Sequence, residues 1–276
     1  MPIAPVVHAQ SAAPLAALLP DRRGRAWQVG PAPYCIRPNA ATSSITNLGR
    51  SLIVAEEGGR IEVFHNRPDK FATAPAAVAD ASDRDAVPQL AARILHGVLP
   101  ALERESARDT ARERGWRGVV ADKADDMTEV GYALIAHGAH PMAVADLNGP
   151  ALIWVSDSGA QWRLGMWGTA GNLTLTYDGP VSGLYAVLPS LLLLDDGQGQ
   201  EDAGSAFTRH LAGRFPQLRP LTPGEVEFSR LGDVGGYIAL PAADEPTDYA
   251  DDVRRVVAEF SGLGADLLLT LVPHLI

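Results

Sequence analysis

Apolar positions recur with a two-residue period from Arg50. Leu52, Val54, Ile61 and Val63 share one face across a Glu56-Glu57-Gly58-Gly59 turn, which predicts a hairpin. The period then lengthens. Between Val87 and Arg114, Leu90, Ile94, Leu95, Val98, Leu99 and Leu102 form one stripe at helical spacing, with Pro100 placed to interrupt or kink it. Beyond the proline, Arg104, Arg108 and Arg112 make one row and Glu105, Asp109 and Glu113 its neighbour. That is the pattern of a solvated face of ion pairs rather than of an anion site.

The segment Met127 to Leu194 carries most information. Asp126 is placed to cap a short helix, with Glu129 at the capping-box position. Four strands then follow. Asn148-Gly149 signals a two-residue hairpin with Val144 opposite Ile153. A turn at Asp157 to Ala160 puts Val155 opposite Trp162, and a loop at Trp167 to Asn172 puts Met166 opposite Leu173 and Leu164 opposite Leu175. In this register Met142, Val144, Ile153, Val155, Trp162, Leu164, Met166, Leu173, Leu175 and Tyr177 face inward. The other face carries Ala143, Ala145, Leu152, Trp154, Arg163, Gly165, Thr174 and Thr176, flatter and more apolar than a solvated sheet face. Something must cover it: either the C-terminal segment of this chain, or a partner anchored on Trp154 with Arg163 stacked opposite, Leu152 beside them and Trp167 enlarging the patch.

The remaining pattern predicts a helix at Val181 to Leu194 broken by Pro189 and exposed loops at Asp195 to Gly204 and Phe215 to Pro223. Extended chain is expected at Glu225 to Pro241, a helix at Asp248 to Phe260 with Val253, Val256, Val257 and Phe260 inward, and a buried strand or short helix at Leu267 to Val272. The fold class is α+β: two helix-flanked antiparallel sheets, with a four-stranded meander at about 142–178. Leu-Ile recurs at 52 and 53 and at 152 and 153. Gly97-Val-Leu-Pro-Ala-Leu102 is matched by Ala186-Val-Leu-Pro-Ser-Leu191, which raises a tandem duplication as a hypothesis, to be dropped if the halves do not superpose, since short apolar matches also arise by chance. The sequence divides at 118/119, with residues 1–14 loose.

Composition narrows the function. A net charge of −10 argues against nucleic acid, whose affinity comes mainly from phosphate neutralisation. No apolar run is long enough to cross a bilayer, and the N-terminus lacks the basic start of a secretory signal. The single cysteine, Cys35, fits a reducing compartment and therefore the cytoplasm.

Candidate chemistry is sparse. His137-Gly-Ala-His140, with Asp146 downstream, is the one closely spaced histidine pair and the first place to look for hydrolase or transferase chemistry. Gly138 and Pro141 mark a helix end there, where histidine also complements the macrodipole. Ser156-Asp157-Ser158-Gly159 is turn chemistry rather than a nucleophile elbow, and Gly262-Leu-Gly264 follows a helix instead of opening one. The acidic clusters at 122–126, 195–202 and 244–252 lack a calcium-loop pattern. No cofactor and no metal are expected. The sequence thus favours a non-enzymatic binding or adaptor protein whose partner is another protein or a second copy of itself.

Overall fold

Strand β3 (Arg50–Glu57) buries side chains on both of its faces, with Leu52, Ile53, Val54 and Ala55 all inaccessible, and the first half of the chain is arranged around it. The structure is a computed structural model describing residues 8–34, 36–66, 74–146, 149–166, 171–193, 205–228, 234–241 and 252–276. The chain forms two compact units, 1–98 and 99–276. The boundary read from sequence, 118/119, lies inside a helix of the second.

In the first unit, β1 (Gln28–Pro31), β2 (Ala41–Asn47), β3, β4 (Arg60–His65) and β5 (Ala77–Asp80) form a five-stranded antiparallel sheet in chain order. The expected hairpin is present, with Val54 opposite Val63 and all four of its apolar residues buried. One face carries a cluster of Ile53, Ala55 and Phe64, against which Tyr34 and Ile36 pack. Helix α1 (Ala12–Leu18) packs on β1 and β2, and α2 (Ala86–Arg93) on β5. Residues 8–14, within the stretch expected to be loose, make defined contacts. Leu15 is buried, Ala9 N–H donates to Ser43 Oγ, and the Glu56 carboxylate accepts from Gln10 and Ser11 N–H. Helix α2 runs into a turn of π-helix, Ile94–Val98.

The second unit begins with α3 (Leu99–Ala136), interrupted at Gly115, where φ is +70°. That left-handed conformation suits glycine and splits the helix into two limbs. Asp126, expected to begin a helix, lies inside the second limb, where its carboxylate binds Lys123. Then follow β6 (Met142–Asp146), β7 (Gly149–Val155), β8 (Gln161–Met166), β9 (Leu173–Pro180), a 3-10 turn (Val181–Leu184), α4 (Leu188–Leu191), α5 (Ala206–Arg214), β10 (Arg219–Thr222), β11 (Glu225–Phe228), β12 (Gly235–Ala239), β13 (Arg255–Leu263), α6 (Ala265–Leu271) and a final 3-10 turn (Val272–His274). The strands form one eight-stranded antiparallel sheet ordered β10-β11-β12-β13-β9-β8-β7-β6. Two antiparallel sheets flanked by helices are thus present, as the pattern of the sequence implied.

Several expectations need correction. The region expected as a helix up to Phe260 is strand β13 from Arg255, where Val256, Ala258 and Phe260 are buried and alternate with Val257 and Glu259. Its length and central position in the sheet override the apparent helical spacing. Val253 is exposed rather than inward. The predicted loop at 215–223 contains edge strand β10, and the predicted helix at 181–194 is a 3-10 turn followed by the short α4. The matched Val-Leu-Pro motifs occupy similar local settings, since in both a Leu-Pro pair begins an α-helix after a non-α turn.

Ser156 N–H donates to Ala160 O at 2.9 Å and Gly159 has φ +79°, so Asp157-Ser158-Gly159 is a three-residue loop where four turn residues were expected. Val155 therefore pairs with Gln161 and Trp154 with Trp162. One residue of slip reverses the facing of a strand. The relative facing of β6 and β7 survives, although the first hairpin closes earlier than expected, with Asp146 opposite Gly149 and Met142 opposite Ile153. Both strands are nevertheless inverted with respect to β8 and β9, whose pairing of Met166 with Leu173 and Leu164 with Leu175 is as expected.

Candidate functional site

The inversion changes what the larger sheet shows to solvent. Trp154, expected on the exposed face, is 1% accessible. Its ring stacks on Trp162 at 6.3 Å between centroids, and Trp162 meets Tyr177 edge-on at 4.5 Å. The Trp154 indole N–H donates to Leu275 O at 2.8 Å, so the C-terminal segment covers this tryptophan. Leu152 is buried on the same face, within reach of Gly131 on α3. Neither residue is a surface anchor. Trp167, the third aromatic of the expected patch, lies outside the described residues.

The opposite face is the exposed one. Directly opposed residues run across all eight strands in one row: Met142, Ile153, Arg163, Thr176, Glu259, Tyr237, Glu227 and Arg219. Each is half-buried or exposed. The row is apolar at the β6 and β7 end, where Met142 is 64% and neighbouring Val155 62% accessible. Towards β11 it turns polar and then acidic. Arg163 stands at the change of character, and its side chain extends along the sheet, with Nε 3.9 Å from where a Cβ on Gly165 would sit. At the acidic end, burial and the nearby Glu259 and Glu225 carboxylates raise the Tyr237 pKa, so its phenol stays protonated.

The histidine site is not assembled. His137 and His140 are both exposed where α3 ends, and the His137 ring is tied by Nδ1 to Ala133 O of its own helix. Asp146 lies at the far end of β6, four strand residues past Met142 and so about 13 Å further on. Strand geometry keeps it from the histidine pair. Among the described residues no group of three His, Cys, Asp or Glu side chains is arranged to hold a metal ion, and no helix is long and apolar enough to cross a membrane. Cys35 and the acidic run 195–202 lie outside the described residues, as do residues 244–251.

A different set of ionisable groups does converge. Tyr185 Oη donates to Asp252 Oδ1 at 2.6 Å, and His210 Nε2 lies 3.0 Å from the same phenol and 3.3 Å from the carboxylate. The Arg214 guanidinium stacks over the Tyr185 ring at 3.9 Å. Burial and the Asp252 carboxylate raise the Tyr185 pKa, while the Tyr185 hydrogen bond, with His210 and Arg214, lowers that of Asp252. A phenol held protonated against a carboxylate is a clamp rather than a nucleophile, here tying the turn before α4 to α5 and to the entry into β13. These residues lie far apart in sequence at no regular spacing, so no motif could have brought them to notice. In comparisons with protein families, with curated proteins and with solved structures, the chain matches none.

Proposed function

We propose that this protein is a non-enzymatic, cytoplasmic protein-binding module that works through the outer face of its larger sheet, with Met142, Ile153 and Val155 as apolar anchors and Arg163 as the orienting charge. The observation that carries this reading is the exposure of Met142 and Val155, 64% and 62%, at diagonal positions on neighbouring strands. Rigid strands fix such side chains in place, so a partner need not spend free energy ordering them. The mixed apolar and basic character of the patch resembles interface cores, in which Met and Arg are enriched. The single cysteine and the acidic charge suit a reducing cytoplasm.

A photo-crosslinking residue at Val155 tests it in the native cells. Labelling of a defined protein that disappears when Met142→Glu is added is the expected result. The same residue at Trp154, on the buried face, should label nothing. Equal labelling from both positions, or labelling unchanged by Met142→Glu, would overturn the proposal.

A further inference from the structure

The larger sheet has two edges, and only one is guarded. Edge strand β10 has four residues, contains Pro220 and changes register between Pro220 and Thr222. Proline, short length and irregularity are devices that keep an edge from pairing with another chain. Strand β6 contains no proline and no register shift. Its sequence is Met-Ala-Val-Ala-Asp, its pairing with β7 is regular, and Met142, Ala143 and Ala145 are exposed. Among the described residues no strand lies beyond it.

The direction of its free backbone groups follows from one residue. Ala145 faces Pro150, which has no N–H, so these two cannot form a mutually hydrogen-bonded pair. Since bonded and non-bonded pairs alternate along an antiparallel ladder, Met142 with Ile153, Val144 with Ala151 and Asp146 with Gly149 are the bonded pairs. The N–H and C=O groups of Ala143 and Ala145 therefore point away from β7.

We infer that β6 pairs antiparallel with β6 of a second copy about a two-fold axis at Val144, joining two eight-stranded sheets into one. The inference rests on reading the larger sheet as a protein-binding surface, and it names the partner of its open edge. Three features select a second copy. Pairing about Val144 puts Ala143 opposite the partner's Ala145 and Ala145 opposite the partner's Ala143, and these are the residues whose free groups point outward, so four main-chain hydrogen bonds close without adjustment. Asp146, the one charged residue of the strand, then falls opposite Met142, so no two carboxylates meet. Last, the apolar side chains of the outer face, exposed Met142 and Val155 with half-buried Val144 and Ile153, are concentrated at this edge, so the two-fold joins two such patches into one.

The geometry gives a positional test. Two Val144 residues would form a non-hydrogen-bonded pair with Cα atoms about 4.5 Å apart, inside the range of a disulfide. Two Val155 residues would be three strand spacings apart across the sheet, about 14 Å, and displaced by about 26 Å along it, far beyond that range. In a Cys35→Ser background, Val144→Cys should give a disulfide-linked dimer on mild oxidation and Val155→Cys should not. In sedimentation, wild type should self-associate, and Ala143→Pro should weaken association at least roughly tenfold. Proline there removes an outward N–H and no bond to β7, so circular dichroism should remain that of wild type. A monomer at all concentrations, or a dimer that Val144→Cys does not trap, would overturn the inference. Crosslinking from Val155 to a different protein in the monomeric case would leave the binding function standing, so the two failures are distinguishable.

Discussion

Trp154 has two structural roles. Its ring lies against Trp162, and its N–H satisfies the carbonyl of Leu275, next to the end of the chain. Removing the ring leaves a large cavity, so Trp154→Ala should cost about 3–5 kcal/mol of stability. Trp154→Phe keeps most of the ring but leaves a buried carbonyl without its donor, for about 1–3 kcal/mol. Val155, one position along and 62% accessible, should tolerate Ala within about 0.5 kcal/mol. Urea unfolding of the three variants measures these differences. Equal losses at 154 and 155 would mean that β7 does not face as described.

Helix α3 is held at its break by a buried charge cluster. Lys123 Nζ lies 2.8 Å from Glu103 and 2.9 Å from Asp126, and the Glu103 carboxylate also accepts the Ala265 N–H at the start of α6. Burial works to lower the Lys123 pKa, but the two carboxylates outweigh it and the ammonium stands above its ordinary value. For Glu103, burial raises the pKa, Asp126 and Asp266 add to the rise, and Lys123 opposes it. Lys123→Met should therefore strand like charges in the interior and cost about 3–5 kcal/mol near neutral pH. In that variant the Glu103 pKa climbs further, and a carboxylate whose folded pKa exceeds its unfolded one takes up a proton on folding. Stability must then rise as pH falls through the folded pKa towards the ordinary glutamate value of 4.5. The deficit relative to wild type should be smaller at about pH 5 than at pH 7 in paired urea titrations. A constant deficit would show that Glu103 is not the group left uncompensated.

The same elements show what the sequence could convey. The β3–β4 hairpin and the β8–β9 pairing were legible because two-residue alternation and glycine turns act over a few residues. The facing of β7 was not, because three and four turn residues between Ser156 and Gln161 are equally compatible with its pattern. Only the Ser156–Ala160 bond and the left-handed Gly159 decide between them. The anchors expected at Trp154 and Leu152 became core through that one loop, and Met142 and Val155 took their place on the surface. Arg163, with Thr176 opposite it, stayed on the outer face. The Tyr185, His210 and Asp252 clamp depends on contacts across the fold and leaves no periodic trace.

At the scale of the whole molecule, charge decides which partner the open sheet prefers. Each chain carries −10, so two copies repel one another through solvent, while the groups proposed to join them, the β6 backbone and its apolar neighbours, are neutral. Salt screens the repulsion, with a Debye length of about 10 Å at 0.1 M, and leaves the strand pairing untouched. Self-association should therefore tighten as sodium chloride rises from about 0.05 to 0.5 M, read as a falling Kd in sedimentation. A basic partner drawn to Glu225, Glu227 and Glu259 would show the opposite trend, losing affinity over the same range. The sign of the salt dependence thus separates the two uses of the sheet. Tightening that vanishes with Ala143→Pro assigns the edge to a second copy, and weakening that survives Ala143→Pro assigns the acidic end of the face to a different protein.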